Sequence, residues 1–205
     1  MIEIRETRPA YLEKVRALWA DGDVMRFVGF PEGLRKTEEE MRGWLRWIEA
    51  KRPGRNHYSI FEDGRYCGEA FYDIDPEHRS AALDIKLFAF ARGRGIGTAG
   101  LSRAIREAFQ NGAERVWVDP HPENAKAIAL YRKLGFRQSD FPAWLLSEGE
   151  APGSVYMELL RDAFESPSSD FEGGKHGISE DRGFPGGSPV EAAASVQSGD
   201  RGRGA

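Results

Sequence analysis

A single cysteine, Cys67, excludes an intramolecular disulfide. The four histidines are not grouped with it, or with one another, at the spacing of a zinc site, so no metal is expected. No stretch approaches the roughly 18 to 20 apolar residues that a membrane helix needs. The opening MIEIRETRPAYLEKV lacks the apolar centre of a signal peptide. Neither a membrane nor a secretory route is therefore expected, and the cytoplasm is the default location. A basic stripe is missing as well. The net charge is −4, and from Glu165 onward there are seven acids against four bases, so residues 1–164 are close to neutral. Such a domain offers no electrostatic argument for nucleic acid.

What is present suits one ordinary domain with a tail: 205 residues, 40% hydrophobic and 30% charged. Composition changes near Phe164. The segment Glu165–Ala205 holds nine glycines, three prolines and isolated apolar residues without a period, so it is expected to be a disordered tail behind a folded domain at residues 1–164. Within that domain Ile2–Glu6 reads as a strand, and Pro9 opens a helix carrying Leu12, Val15, Leu18 and Trp19. Thr37 and Glu40 form a capping box before a helix with Met41, Trp44, Leu45 and Ile48 on one side. His57–Glu62, the Asp63-Gly64 turn and Arg65–Asp73 read as a hairpin. Ala81–Phe90 reads as a strand with Leu83, Ile85 and Leu87 on one face and Asp84 and Lys86 on the other. A helix from about Thr98 to Gln110, a strand at Arg115–Val118 and a helix at Glu123–Leu134 follow. Further strands are expected around Phe136–Gln138 with Trp144–Leu146, and at Ser154–Leu160.

The stretch ARGRGIGTAG joins a strand to a helix. Glycines let backbone N–H groups turn inward, and the helix start adds unsatisfied donors and a positive dipole end, a combination that suits a pyrophosphate. Arg92 and Arg94 add charge beside it. A Walker A loop would need Gly-Lys-Ser/Thr, which is absent. Gly95, Gly97 and Gly100 do fit the dinucleotide fingerprint G-x-G-x-x-G, and Asp119 lies about twenty residues on, where a ribose-binding acid would sit. Three features speak against that reading. The preceding strand carries Asp84 and Lys86, whereas a doubly wound parallel sheet buries both strand faces. Too little chain follows Asp119 to complete such a fold. And DPHPENAKAIALYRKLGF, Asp119–Phe136, has a signature of its own.

Arg92, Gly95 and Gly97 in R-x-x-G-x-G, with Asn124, Ala127, Leu130, Tyr131 and Lys133 to Phe136 in N-x-x-A-x-x-L-Y-x-K-L-G-F, resemble the paired motifs of the GNAT superfamily of N-acetyltransferases. The resemblance spans roughly residues 2–160. It implies an α+β fold: a single domain with a mixed, mostly antiparallel sheet flanked by about four helices. It also implies acetyl-CoA as co-substrate. Gly93, Gly95, Ile96, Gly97 and Thr98, with Arg92 and Arg94, would hold the pyrophosphate. Leu87 and Phe88 would lie beside the pantetheine, where a backbone N–H meets the thioester carbonyl and stabilises the oxyanion. Asn124 would touch the CoA arm, and Tyr131 would protonate the departing thiolate.

The attacking amine must first lose a proton, which calls for a carboxylate or a water chain. Asp84 is the candidate base, because an aspartate inside a strand is disfavoured without a purpose. Glu69 on the neighbouring strand is a second. The chain is also similar in pattern to aminoglycoside 6′-N-acetyltransferases, which implies that Asp84 and Asp119 meet a cationic small-molecule amine. Residues 24–48 are similar to ribosomal-protein-type N-terminal acetyltransferases, which would make a protein N-terminus the acceptor. A non-catalytic acyl-CoA-binding regulatory domain is the rival from another class, and homodimerisation is left open.

Overall fold

A computed structural model of the chain describes residues 1–146 and 153–165. The capping box at Thr37 sets the start of one helix: Thr37 Oγ1 accepts the Glu40 N–H at 3.2 Å, and Glu40 Oε2 accepts the Thr37 N–H at 2.6 Å. Asp63 and Gly64, with φ of 49° and 78°, form the tight turn between two long strands, as an Asp-Gly pair favours. Local signals of this kind divide the described chain into β1 (Ile2–Glu6), α1 (Leu12–Trp19), α2 (Gly22–Met25), α3 (Glu38–Glu49), β2 (Arg55–Glu62), β3 (Arg65–Asp75), β4 (Ser80–Leu87), α4 (Ile96–Gln110), β5 (Arg115–Val118), α5 (Ala125–Lys133), β6 (Arg137–Gln138), β7 (Met157–Leu160) and α6 (Arg161–Glu165). Replacing Thr37 by alanine should cost about 1 kcal/mol of stability, measured by chemical denaturation.

The strands form one sheet in the order β1-β2-β3-β4-β5-β7-β6. Every neighbouring pair is antiparallel except β4 and β5. That is the mixed sheet expected, and four of the six described α-helices run eight residues or more. On one face α4 buries Leu101, Ala104, Ile105, Ala108 and Phe109 against Tyr58, Ile60, Ala70, Tyr72 and Leu83, and α5 adds Tyr131. Gly100 allows this close approach, since a β-carbon there would sit 2.5 Å from Ile60 Cδ1. The other face meets α1, α2 and α3 through Leu12, Val15, Leu18, Trp19, Met25, Met41 and Leu45, packed with Phe61 and Tyr66.

Several expectations need correction. β4 ends at Leu87 rather than Phe90. The Leu87 carbonyl is taken by Arg92 Nε at 3.1 Å, and Ala89–Ala91 turns as a short 3-10 helix. Trp144 belongs to a 3-10 turn, Ala143–Leu145, behind Pro142, and its ring stacks on His78 with centroids 4.3 Å apart. The chain continues into α6 through Glu165, one residue past the expected boundary; the remainder of the expected tail lies outside the described residues. The polar face of β4 is also not a solvent face, because Lys86 on it is buried beneath the helical layer. The case against a doubly wound parallel sheet rests instead on the strand pairing, in which β4–β5 is the one parallel pair among the described strands.

A bulge shapes the centre of the sheet. Ile60 pairs with Gly68 and Phe61 with Tyr66, so Cys67 is the extra residue. Gly68 has φ of 153°, and a β-carbon on it would run into the Lys86 carbonyl oxygen. Gly68→Ala should lower stability by about 2–3 kcal/mol in a denaturant titration.

Candidate active site

The parallel pairing of β4 and β5 covers only Ser80–Ala82 with Arg115–Trp117. Beyond Ala82 no pairing with β5 continues, so the half of β4 that carries Asp84 is laddered on its β3 side alone. A strand laddered on one side leaves every second backbone N–H and C=O available to a ligand. The glycine turn follows the end of β4 and leads into α4. Gly93 and Gly95 have φ of 75° and 81°, with no atom within 4 Å of a would-be β-carbon, so the left-handed backbone itself calls for glycine there. Gly95 caps α4 without a side-chain hydrogen bond, and the first turn of α4 holds no acid. The N-terminal amides of this fifteen-residue helix thus meet no competing carboxylate from their own turn, which fits a pyrophosphate. Ile96 is fully buried and anchors the helix start. A β-carbon on Gly97 would meet Leu130 Cδ2 at 3.1 Å and Leu87 Cδ1 at 3.4 Å, so β4, α4 and α5 converge at this point.

The two arginines of the turn are both engaged. Arg92 bridges the carbonyls of Leu87 (3.1 Å) and Asp23 (3.2 Å), tying α2 to the end of β4. Arg94 pairs with Glu62 at 2.7 Å. Leu87, Phe88 and Thr98 are half-buried around the turn, and Phe88 stacks on Phe90. Asn124 caps α5, its Oδ1 accepting the Ala127 N–H at 3.2 Å.

Tyr131 is buried on α5. Burial first, and then the negative charges of Asp84 and Asp119, push its phenol well above the ordinary value. Asp84 on its strand and Asp119 in its loop thus both lie within electrostatic range of Tyr131 on its helix. Asp119 is half-buried just after β5.

Glu69 is placed differently. It lies opposite Lys86 in the β3–β4 ladder and opposite Ser59 in the β2–β3 ladder, beneath the helices. Its carboxylate accepts the Trp19 indole N–H at 2.9 and 3.1 Å and lies 3.3 Å from Lys86 Nζ. His57 Nε2 is 3.2 Å from its Oε2, close enough for charge but out of line for a hydrogen bond. Thr7 Oγ1 lies 2.8 Å from His57 Nδ1 and 2.7 Å from Ser59 Oγ. Desolvation raises the Glu69 pKa, but Lys86 and then His57 outweigh it and hold the carboxyl down at about 2. A carboxylate so enclosed, and so weakly basic, does not suit the role of proton acceptor for an amine. Lys86 also pairs with Asp84. Sequence reasoning missed this network, although counting back from the β3–β4 turn would have set Glu69 opposite Lys86.

The sign of the Glu69 shift gives a pH test. A depressed carboxylate contributes stability that is complete above its unfolded value of about 4.3 and fades as pH falls toward its folded value. The melting-temperature gap between the wild type and Glu69→Gln should therefore be constant near neutrality and shrink between about pH 4 and pH 2.

Comparison with known proteins settles the family. A family model described as an acetyltransferase (GNAT) domain matches residues 2–137. The chain belongs to the GNAT acetyltransferases. It is 38% identical over 114 residues, 54% of this chain and 95% of the other, to a kanamycin resistance protein of Rhizobium radiobacter. It is 37% identical over 79 residues, 38% of this chain and 36% of the other, to aminoglycoside N(6′)-acetyltransferase type 1 of Klebsiella pneumoniae. Among solved structures, spermidine N-acetyltransferase of Vibrio cholerae, in complex with CoA and spermine, has the same fold: TM-score 0.66 and 18% identity over 80% of this chain and 98% of that one. This GNAT chain is accordingly an N-acetyltransferase. No described helix is long and apolar enough to cross a membrane. Among the described residues no group of three or more His, Cys, Asp or Glu side chains is arranged to hold a metal ion.

Proposed function

We propose that the chain transfers the acetyl group of acetyl-CoA to a primary amine of a small cationic molecule, by direct attack within a ternary complex. The observation that carries this reading is the placement of the Tyr131 phenol, buried on α5 with the charges of Asp84 and Asp119 in reach of it. An acid with two carboxylates in electrostatic reach of it matches the needs of the reaction. The carboxylates attract an ammonium, and Asp84 takes its proton. The freed nitrogen forms a bond to the thioester carbon, Tyr131 gives its proton to the sulfur as the C–S bond breaks, and the second proton that the nitrogen sheds on becoming an amide restores the phenol. Acetyl-CoA supplies the acyl group, and backbone amides from Gly93 to Thr98 would bind its pyrophosphate, aided by Arg92 and Arg94, with Asn124 beside its arm. Glu69 is assigned to holding the site rather than to proton transfer, since its carboxylate is enclosed by Trp19, His57 and Lys86.

The names of two relatives point the same way, toward kanamycin and other aminoglycosides. A protein N-terminus is the second reading. It draws on a ribosomal-protein-alanine N-acetyltransferase structure from Brucella melitensis, 25% identical with a TM-score of 0.63 over 77% of this chain and 99% of that one. Thiol release from acetyl-CoA with kanamycin, spermidine and an alanine-initiated peptide separates them. Turnover on either polycation and none on the peptide is expected. The reverse pattern would move the acceptor to a protein terminus.

A further inference from the structure

The buried network under the sheet has one open end. Glu69 and Lys86 have side chains 3% and 5% exposed, whereas the Asp84 side chain is 19% exposed. Asp84 and Lys86 are two residues apart on the same face of β4, and Lys86 is the cross-strand neighbour of Glu69. The ammonium of Lys86 therefore sits between a carboxylate that is shut in and one that is partly exposed. Glu69 is in turn fixed by the Trp19 indole, and Trp19 packs edge-on against Trp44, which packs edge-on against His57.

Stability alone does not explain the arrangement. Replacing a buried ion pair by apolar groups of similar volume is often neutral or stabilising. What Lys86 adds is geometry, because it engages Oδ2 of Asp84. We propose that Lys86 is a positioning residue for the acceptor half of the reaction: anchored by Glu69, it holds one oxygen of Asp84 so that the other is presented to the acceptor ammonium. The inference rests on Asp84 being the acceptor-side carboxylate. Without Lys86 the Asp84 side chain would rotate, and an amine misplaced by about 1 Å can lose on the order of 100-fold in rate.

The test uses the full chain with kanamycin and spermidine as acceptors, in four forms: wild type, Asp84→Asn, Lys86→Met with Glu69→Gln, and all three changes together. The paired change removes one positive and one negative charge, so the one charge left in the trio is that of Asp84, the most exposed of the three side chains. The paired variant should lose about 10- to 100-fold in kcat, with KM for the amine changed far less, and with melting temperature and acetyl-CoA affinity near wild type. Added to Asp84→Asn, the same pair should lower kcat less than about threefold, because its effect runs through Asp84. A full multiplicative loss in the Asp84→Asn background would overturn the inference. So would a wild-type kcat in the paired variant while Asp84→Asn is impaired. If Asp84→Asn itself turns over both amines at the wild-type rate, the reading of Asp84 fails first. Should the Met variant not fold, Lys86→Leu with Glu69→Gln takes its place, again with no group at position 86 to hold Asp84 and with the same expectations.

Discussion

Replacing Tyr131 by phenylalanine should lower kcat about 100-fold or more while leaving acetyl-CoA affinity close to that of the wild type. The size follows from the usual contribution of a positioned general acid, 10²- to 10⁴-fold. The selectivity follows from packing. The ring lies in the main core cluster, with its centroid 5.7 Å from that of Phe136, and the substitution removes only the hydroxyl. Isothermal titration with acetyl-CoA and steady-state rates on the same preparation check both halves. Weakened binding with an unchanged kcat would make the hydroxyl a structural group. The raised phenol pKa also has a direction to test. The working form is the protonated one, which is lost only as pH rises through the folded value, and burial with Asp84 and Asp119 moves that value above the ordinary 10 or so. The wild-type rate should therefore show no alkaline fall from this group below about pH 10. A cationic acceptor beside the two carboxylates offsets their charge, so the phenol becomes the stronger acid once the amine is bound. Proton delivery to sulfur is then favoured in the ternary complex over the binary one.

Much of the glycine turn and of the helix it opens was legible in the sequence because its signals are local. Gly93 and Gly95 need left-handed backbone where nothing crowds them, and Gly97 and Gly100 need close approach, so a short glycine pattern reports the turn and the helix seat together. The capping box at Thr37 and the Asp63-Gly64 turn are equally short-range. The acceptor half depends on contacts from far along the chain. Alternation along β4 shows that Asp84 and Lys86 share a face, but it cannot say what covers that face. The cover comes from Trp19 and Trp44, brought in by α1 and α3, and it turns an apparent surface lysine into a buried one. Likewise, Glu69 is suited to be a base by residue type and is removed from that role by its neighbours. The strand end at Leu87 was missed for a similar reason, since Arg92 folds back to take the last carbonyl.

Asp84→Asn should cost about 100-fold or more in kcat/KM for a cationic amine at pH 7, and the pH dependence of the remaining rate should identify what was lost. An alkylammonium with pKa near 10.4 is only about one part in 10³ neutral at pH 7, and that fraction rises about tenfold per pH unit. If Asp84 accepts the proton, the wild type draws on the abundant ammonium form, and its kcat/KM varies little between pH 7 and pH 9. The asparagine variant must wait for free amine, so its kcat/KM should climb about tenfold per unit across the same range and approach the wild type from below. If Asp84 serves only to attract the ammonium, the variant should instead show a raised KM, an unchanged kcat and no added slope. Asparagine keeps the shape of the side chain but removes the charge that meets Lys86, so melting temperature is measured alongside. The fall at pH 7 and the recovery by pH 9 must occur in protein that remains folded at both. That combination can come from a proton acceptor at the open end of the network and from no merely structural carboxylate.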